Sequence, residues 1–112
     1  MARVSTHVLD TAHGRPAAGV VVHLHEWRDG GRRLLATAST GPDGRIPGQN
    51  VTAGIYELVF QAGDYFRAAG TNLSQPPFLD EVVIRFGVAD AAAHYHVPLL
   101  LSPYGYSTYR GS

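Results

Sequence analysis

Histidines are the most conspicuous chemical groups of this sequence. Six occur among the 112 residues, and four of them form two His-x-His pairs, His23/His25 and His94/His96. Because residues i and i+2 of a strand share a face, either pair is able to present two imidazoles to one metal ion. Two further ligands would be needed, and without cysteine these would be carboxylates or the other pair. We interpret His23/His25 as surface or interface histidines. For His94/His96, this interpretation and a metal site both stay open.

A second set of polar residues suits hydrolysis. Taken alone, His7 is typical of a structural histidine and Arg45 of a solvated loop residue. Together with His96 and the final Arg110-Gly111-Ser112, they provide two imidazoles, a guanidinium and a hydroxyl or carboxylate. Such a set can activate water and stabilise an oxyanion without a covalent intermediate or a metal.

The final residues of the sequence are unusually rich in functional groups. Residues 94–112 read HYHVPLLLSPYGYSTYRGS, whereas chain ends are usually poorly ordered and bland. Ser112 lacks the Gly-x-Ser-x-Gly context of an exposed nucleophile, so a positioning or proton-relay role fits it better than attack on a substrate. Most of the nearby tyrosines are interpreted as packing residues with a polar tip: Tyr104, Tyr106 and Tyr109.

Alternating apolar residues predict the strands that must position these groups. The predicted strands cover residues 4–10, 20–27, 34–39, 55–61, 82–88, 94–101 and 105–110. Asp29-Gly30-Gly31 predicts a hairpin, and Gly41-Pro42-Asp43-Gly44 predicts a tight turn that holds Arg45 at a rigid corner. Pro98 indicates an edge or an irregularity in its strand. Residues 64–70 predict a short helix, with Asp64 able to cap its start and Gly70 to end it.

These elements predict an all-β fold. Seven to eight short strands at near-regular spacing, with one short α-helix, are typical of an antiparallel β-sandwich. The length predicts a single domain over residues 1–112 with one modest core.

Composition excludes several classes of partner. Nine arginines, with no lysine, balance nine acidic residues, so the net charge is zero and indicates neither nucleic acid nor a membrane surface as a partner. The absence of cysteine excludes disulfides and thiolate chemistry. The first ten residues lack the apolar segment of a signal peptide, and no stretch reaches the length of a membrane span, so a cytoplasmic location is expected.

Three motifs resemble one known family. Ser5 to Asp10, Asp43-Gly44-Arg45 and, above all, residues 94–112 with their Tyr-Arg-Gly-Ser ending are similar to the transthyretin-like 5-hydroxyisourate hydrolases of purine catabolism. The resemblance covers the whole chain and implies a transthyretin-like sandwich. It implies that the catalytic residues are His7, Arg45, His96 and Ser112. It also implies that the substrate is bound by His7, Arg45, Tyr109, Arg110, Gly111 and Ser112.

The resemblance further implies the reaction and the assembly. The six-membered ring of 5-hydroxyisourate, the product of urate oxidation, would be opened by water to 2-oxo-4-hydroxy-4-carboxy-5-ureidoimidazoline without a cofactor or metal. The expected assembly is a homotetramer, a dimer of dimers with sites in the channel between dimers. Our hypothesis is that His96, polarised by Ser112, helps to activate water while Arg45 and His7 bind substrate and stabilise charge. Which imidazole is the base stays open, and His94 is expected to be a bystander.

Two alternative functions are retained for comparison. A transthyretin-like carrier of small ligands would have the same fold, but its channel would be lined by apolar and hydroxyl groups rather than by His and Arg. A histidine-rich metal-binding domain is the other alternative. Full activity in the presence of a strong chelator would argue against an essential metal.

Overall fold

A computed structural model describes all 112 residues and confirms an all-β chain with one short helix. The elements are β1 (Ala2–Ser5), β2 (Val8–Asp10), β3 (Arg15–Pro16), β4 (Val21–Arg28), β5 (Gly31–Ser39), β6 (Gln49–Val51), β7 (Gly54–Gln61), α1 (Ala62–Ala68), β8 (Glu81–Val88), β9 (His94–His96), β10 (Leu99–Ser102) and β11 (Gly105–Thr108). No helix has the length and apolar character needed to cross a membrane, since α1 has only seven residues.

The strands form two layers. One layer is the sheet β5-β4-β7-β8, whose neighbours are all antiparallel. The other layer consists of two sheets, β6-β1-β9 and β11-β10-β2-β3. The segment that contains β1 and β2 and the segment that contains β9 and β10 each pass from the first of these sheets into the second. A single cluster of 21 buried apolar residues includes inward-facing side chains of both layers, among them Val4, Val8, Leu99 and Leu101 from one and Val22, Leu24, Leu58 and Phe60 from the other.

Two predicted strands are each divided in the structure. The predicted strand 4–10 appears as β1 and β2, and the predicted strand 94–101 appears as β9 and β10. Buried Thr6, at the first interruption, donates its hydroxyl hydrogen to the carbonyl of Val97 at the second. Together with the short strands β3 and β6, these interruptions account for eleven strands where seven to eight were predicted.

The divided segments run parallel to each other, which is a departure from a purely antiparallel sandwich. β1 pairs with β9 and β2 pairs with β10 in parallel register. Between them, the N–H groups of Val97 and Leu99 donate to the carbonyls of Ser5 and His7, each at 2.9 Å. The pairing therefore continues across both interruptions and fixes the relative position of the two segments.

The helix differs from its prediction at the start and agrees with it at the end. α1 begins at Ala62, so Asp64 lies in its first turn instead of capping it, and the N-cap residue Gln61 makes no side-chain cap bond. Gly70 has φ 84° and donates to the carbonyl of Arg67, while Thr71 donates to that of Phe66. This pair of bonds is the Schellman ending that glycine permits.

The turn before Arg45 depends on Gly44. The N–H of Gly44 donates to the carbonyl of Gly41 at 2.9 Å, and its own carbonyl accepts from the N–H of Val8. Gly44 has φ 77°, and a Cβ there would lie 2.5 Å from the carbonyl oxygen of Val8. Glycine is therefore required both by the backbone conformation and by the close approach of β2.

We expect Gly44→Ala to lower the free energy of unfolding by at least about 2 kcal/mol, because left-handed strain and a backbone clash act together. Urea denaturation measures this change. Gly14→Ala is the matched control, since Gly14 has φ 67° but a Cβ there would meet nothing within 4 Å. Equal losses in the two variants would show that the contact with Val8 contributes nothing.

Candidate active site

The site begins with two side chains on one face of the first segment. Ser5 ends β1 and His7 follows two residues later, so both lie on the face opposite buried Thr6. The parallel register of β1 and β9 sets Ser5 opposite His96. Residues 89 or more positions apart in the sequence are thereby placed in hydrogen-bonding contact.

His96 is bonded through both of its ring nitrogens. Its Nε2 lies 2.8 Å from Nδ1 of His7, and the two ring centroids are 4.9 Å apart. Its Nδ1 lies 2.7 Å from Oγ of Ser5, which also lies 2.8 Å from Nε2 of His94. His7 Nε2 is neither hydrogen-bonded nor buried, so it is the ring nitrogen of the His7/His96 pair that is open to solvent.

The structure contains no hydrogen bond between Ser112 and His96, the pair for which polarisation was predicted. Both ring nitrogens of His96 already have partners, Ser5 and His7, so Ser112 has no ring nitrogen left to bond. Ser112 instead lines an open pocket of about 290 Å³ together with Ser5, Arg45, His94, His96, Tyr109 and Gly111. Its position suits contact with a bound molecule better than contact with the imidazole.

The C-terminal residues are attached to His96 through Gly111. The N–H of Gly111 donates to the carbonyl of His96 at 2.7 Å, and the two residues form an isolated antiparallel bridge. A Cβ on Gly111 would lie 2.7 Å from Cδ2 of His96. The absence of a side chain at this position therefore allows the chain to pass directly over the imidazole.

Arg110 faces away from the pocket. Its guanidinium lies 4.2 Å from the centroid of the Tyr95 ring, and its Nη2 donates to the carbonyl of His94 at 3.2 Å. These contacts hold the C-terminal residues against β9. Of the residues predicted to bind substrate, His7 and Arg110 do not line the pocket, and the Arg110 side chain packs on Tyr95 instead.

Arg45 supplies the positive charge of the pocket. Its N–H donates to Oδ1 of Asp43 at 3.0 Å, and its backbone pairs with His7 in an isolated antiparallel bridge. The predicted corner after Gly44 is thus confirmed, and it places the exposed Arg45 side chain beside His96. A guanidinium is suited to binding planar, oxygen-rich groups.

Burial and charge both keep the two imidazoles neutral. Partial burial is the main reason that the pKa of His7 lies below its ordinary value, and the charge of Arg45 adds to the effect. The pKa of His96 is lowered by burial first, and then by His7, Arg45 and His94. Neutral imidazoles can accept protons, so the pair is suited to general-base chemistry near neutral pH.

The remaining histidines lie outside the pocket. His13 bonds through Nδ1 to the buried carboxylate of Asp10 at 2.6 Å. His23 bonds through Nδ1 to Oγ1 of Thr37, and His25 beside it has a buried Nδ1 without a partner. No group of three or more His, Asp or Glu side chains is arranged to hold a metal ion.

Ser5 was not among the predicted site residues, and His94 was not expected to take part in the site. Alternation along residues 4–10 already places Ser5 on the face of His7, and this signal was available. The direct contact of Ser5 with His94 and His96 depends on the parallel register of β1 and β9, which no local pattern encodes. His94, expected to be a bystander, lines the pocket and bonds to Ser5.

Comparison with known proteins identifies relatives that match nearly the whole chain. The sequence profile of the HIUase/Transthyretin family matches residues 4–111. "5-Hydroxyisourate hydrolase 2" of Rhizobium meliloti is 57% identical over 115 residues, covering 98% of this chain and 96% of that protein. The structure of Klebsiella pneumoniae 5-hydroxyisourate hydrolase matches with a TM-score of 0.82 and 37% identity, covering 100% of this chain and 94% of that one.

A second solved structure is also similar. The crystal structure of (S)-allantoin synthase matches with a TM-score of 0.91 and 42% identity over 99% of this chain. The chain spans only 44% of the length of that protein. The profile match over nearly every residue and the identity to relatives of equal length establish that the chain belongs to the HIUase/Transthyretin family.

Proposed function

We propose that the protein is a hydrolase that opens the six-membered ring of 5-hydroxyisourate in urate degradation. The observation that carries the proposal is the 2.8 Å hydrogen bond that joins the imidazole of His7 to that of His96, which lines an open pocket together with Arg45. Relatives of equal length that are called 5-hydroxyisourate hydrolase support the same substrate.

The bond that breaks is a ring amide. A water molecule adds its oxygen to the ring carbonyl carbon, its proton passes to the histidine pair, and the carbonyl oxygen becomes negatively charged. Collapse of this intermediate breaks the carbon–nitrogen bond, returns the proton to the departing nitrogen and leaves a carboxylic acid that ionises. Only water is consumed, so the reaction requires no oxidant or reductant.

Five residues take part in this scheme. His7 Nε2, the ring nitrogen open to solvent, takes the proton from water, and His96 orients His7 through their shared hydrogen bond. Arg45 stabilises the developing oxyanion and binds the substrate carbonyls. Tyr109 and Ser112 contact the substrate from the rim of the pocket. His7 thus replaces His96 as the group that meets water, a choice that the sequence left open.

We expect kcat/KM to decrease in acidic solution, with its half-maximal value below pH 6.5. The ordinary histidine pKa is 6.5, and the pKa values of both His7 and His96 lie below it, so the base stays neutral until lower pH. Initial rates measured between about pH 5 and pH 8 determine the pH at which kcat/KM is half-maximal. A half-maximal rate above pH 6.5 would contradict the assignment of these imidazoles as the base.

Carriage of a small ligand is the alternative that the fold permits. A carrier would bind 5-hydroxyisourate at most in proportion to the number of its sites, and would leave the excess to decay spontaneously. An enzyme would accelerate the decay of a hundredfold excess to completion. The polar pocket, lined by histidine, arginine and hydroxyl groups, favours the enzyme.

The assembly that we propose is a homotetramer built as a dimer of dimers. β8 and β11 each end a sheet and pair on one side only, and both line one groove at the side of the molecule. Such free edges are readily extended by a second copy. Four exposed aromatic residues offer further apolar surface: Phe78, Tyr104, Tyr106 and Tyr109. Light scattering should give four times the 12.0 kDa chain mass, whereas 12.0 kDa alone would contradict the assembly.

A further inference from the structure

Four side chains form a continuous line of hydrogen bonds. His7 Nδ1 meets His96 Nε2 at 2.8 Å, His96 Nδ1 meets Ser5 Oγ at 2.7 Å, and Ser5 Oγ meets His94 Nε2 at 2.8 Å. His7 Nε2 is open to solvent at one end, and the exposed imidazole of His94 is at the other. A line with two open ends and no unpaired group inside it is a route along which a proton can travel.

The direction of the hydrogen bonds is fixed when all three rings are neutral and His7 is the base. A lone pair on His7 Nε2 requires a hydrogen on His7 Nδ1, which donates to His96 Nε2. His96 must then carry its own hydrogen on Nδ1 and donate it to Ser5 Oγ. A hydroxyl that accepts one bond still has one hydrogen, and Ser5 donates this hydrogen to His94 Nε2.

We infer that His94, Ser5, His96 and His7 form a proton relay that carries the proton of the attacking water from His7 to the exposed imidazole of His94. This inference rests on the proposed hydrolysis and extends it to two residues, Ser5 and His94, that neither the motif comparison nor the reaction itself assigns. Ser5 and His94 line the pocket, and their part in the relay is exerted through the base.

Each step of the relay conserves atoms and charge. Water loses a proton to His7 Nε2 and its oxygen forms the bond to the ring carbonyl carbon. His7 Nδ1 releases its hydrogen to His96 Nε2, His96 Nδ1 releases its own to Ser5 Oγ, and Ser5 passes its hydrogen to His94 Nε2. One N–H or O–H bond is broken and one is formed at each step, and the positive charge ends on His94.

Electrostatics favours this destination. The charge of Arg45 disfavours a proton on either His7 or His96, both of which are partly buried. His94 is exposed, so water solvates the imidazolium and can remove its proton. Reversal of the same steps returns a proton through His7 to the departing nitrogen. The relay thus moves the added positive charge away from His7, where the charge of Arg45 disfavours it.

The test compares Ser5→Ala with Ser5→Thr and with Ser39→Ala, an exposed serine on β5 as matched control. Loss of the hydroxyl should lower kcat by about 10- to 100-fold, less than the roughly 10²- to 10⁴-fold of a whole acid–base group, with KM nearly unchanged. Ser5→Thr restores a hydroxyl and should recover most of kcat. Wild-type kcat in Ser5→Ala, or no recovery in Ser5→Thr, would overturn the relay.

His94→Ala tests the solvent end, with His23→Ala as its control. Removal of the terminal acceptor should lower kcat to a similar extent, and added imidazole should raise the rate of His94→Ala but not of the control. An unchanged kcat, or no response to imidazole, would overturn the relay even if Ser5→Ala failed to fold.

A spectroscopic measurement separates the relay from the reaction. Nitrogen-15 NMR of the wild-type protein without substrate should show the hydrogen of His96 on Nδ1, and Ser5→Ala should change this tautomer population. A hydrogen on His96 Nε2 in the wild type would overturn the relay. If the wild-type protein does not accelerate the decay of 5-hydroxyisourate, the proposed hydrolysis fails, and that result is distinct from failure of the relay alone.

Discussion

Replacement of His96 by alanine should lower kcat/KM for 5-hydroxyisourate by about 10²- to 10⁴-fold, the range that a general acid–base group contributes. His96 holds Nδ1 of His7 at 2.8 Å and so fixes the tautomer and orientation of the imidazole that faces water. The variant also interrupts the relay between His7 and Ser5. The rate of ultraviolet decay of substrate made in situ by urate oxidase, corrected for spontaneous decay, measures the loss.

A matched histidine separates this effect from general damage. His23→Ala removes a half-buried strand histidine that bonds only to Thr37 and does not line the pocket, and the variant should retain the wild-type rate. His7→Ala and Arg45→Ala should lose activity to a similar extent as His96→Ala, with the assembly and the unfolding midpoint preserved. Wild-type kcat/KM in His96→Ala would remove the central element of the proposed mechanism.

The second large effect is expected for Gly111→Ala. The added Cβ would lie 2.7 Å from Cδ2 of His96 and 3.3 Å from its Cβ and Cγ, so the C-terminal residues or the imidazole must move. Displacement of a catalytic group by about 1 Å can cost about 10²-fold in rate, and we expect a loss of that size in kcat/KM. The backbone of Gly111 is not in the left-handed region, so the loss reflects contact rather than strain.

Two comparisons support the interpretation of Gly111→Ala. Gly105→Ala is the matched control, because a Cβ there would meet only Ser102 Oγ at an ordinary 3.7 Å, and its activity should be unchanged. Deletion of residues 109–112 removes the pocket rim altogether and should lose at least as much activity as Gly111→Ala. A fully active Gly111→Ala would mean that the passage of the chain over His96 is not needed for catalysis.

The sequence predicted those parts of the fold that local chemistry determines. Alternation of apolar residues located the long strands, the Gly41–Gly44 turn fixed the position of Arg45, and Gly70 ended the helix. These features depend on neighbouring residues only. The prediction that Asp64 caps the helix was wrong. Because α1 continues directly from β7, the N-cap position falls on Gln61.

The features that the sequence did not predict depend on distant partners. Apolar alternation does not distinguish a parallel neighbour from an antiparallel one, so the pairing of β1 with β9 could not be foreseen. That pairing sets Ser5 against His94 and His96 and leaves no ring nitrogen of His96 for Ser112. The stacking of Arg110 on Tyr95 is likewise a contact between separate segments.

The most direct measurement is the initial rate of 5-hydroxyisourate decay as a function of the concentration of the wild-type protein. We expect the rate to rise in proportion to the protein concentration and to exceed the spontaneous rate many times over, with a large excess of substrate consumed completely. A rate equal to the spontaneous rate at every protein concentration would contradict the hydrolase assignment, and with it the roles given to His7, Arg45 and His96.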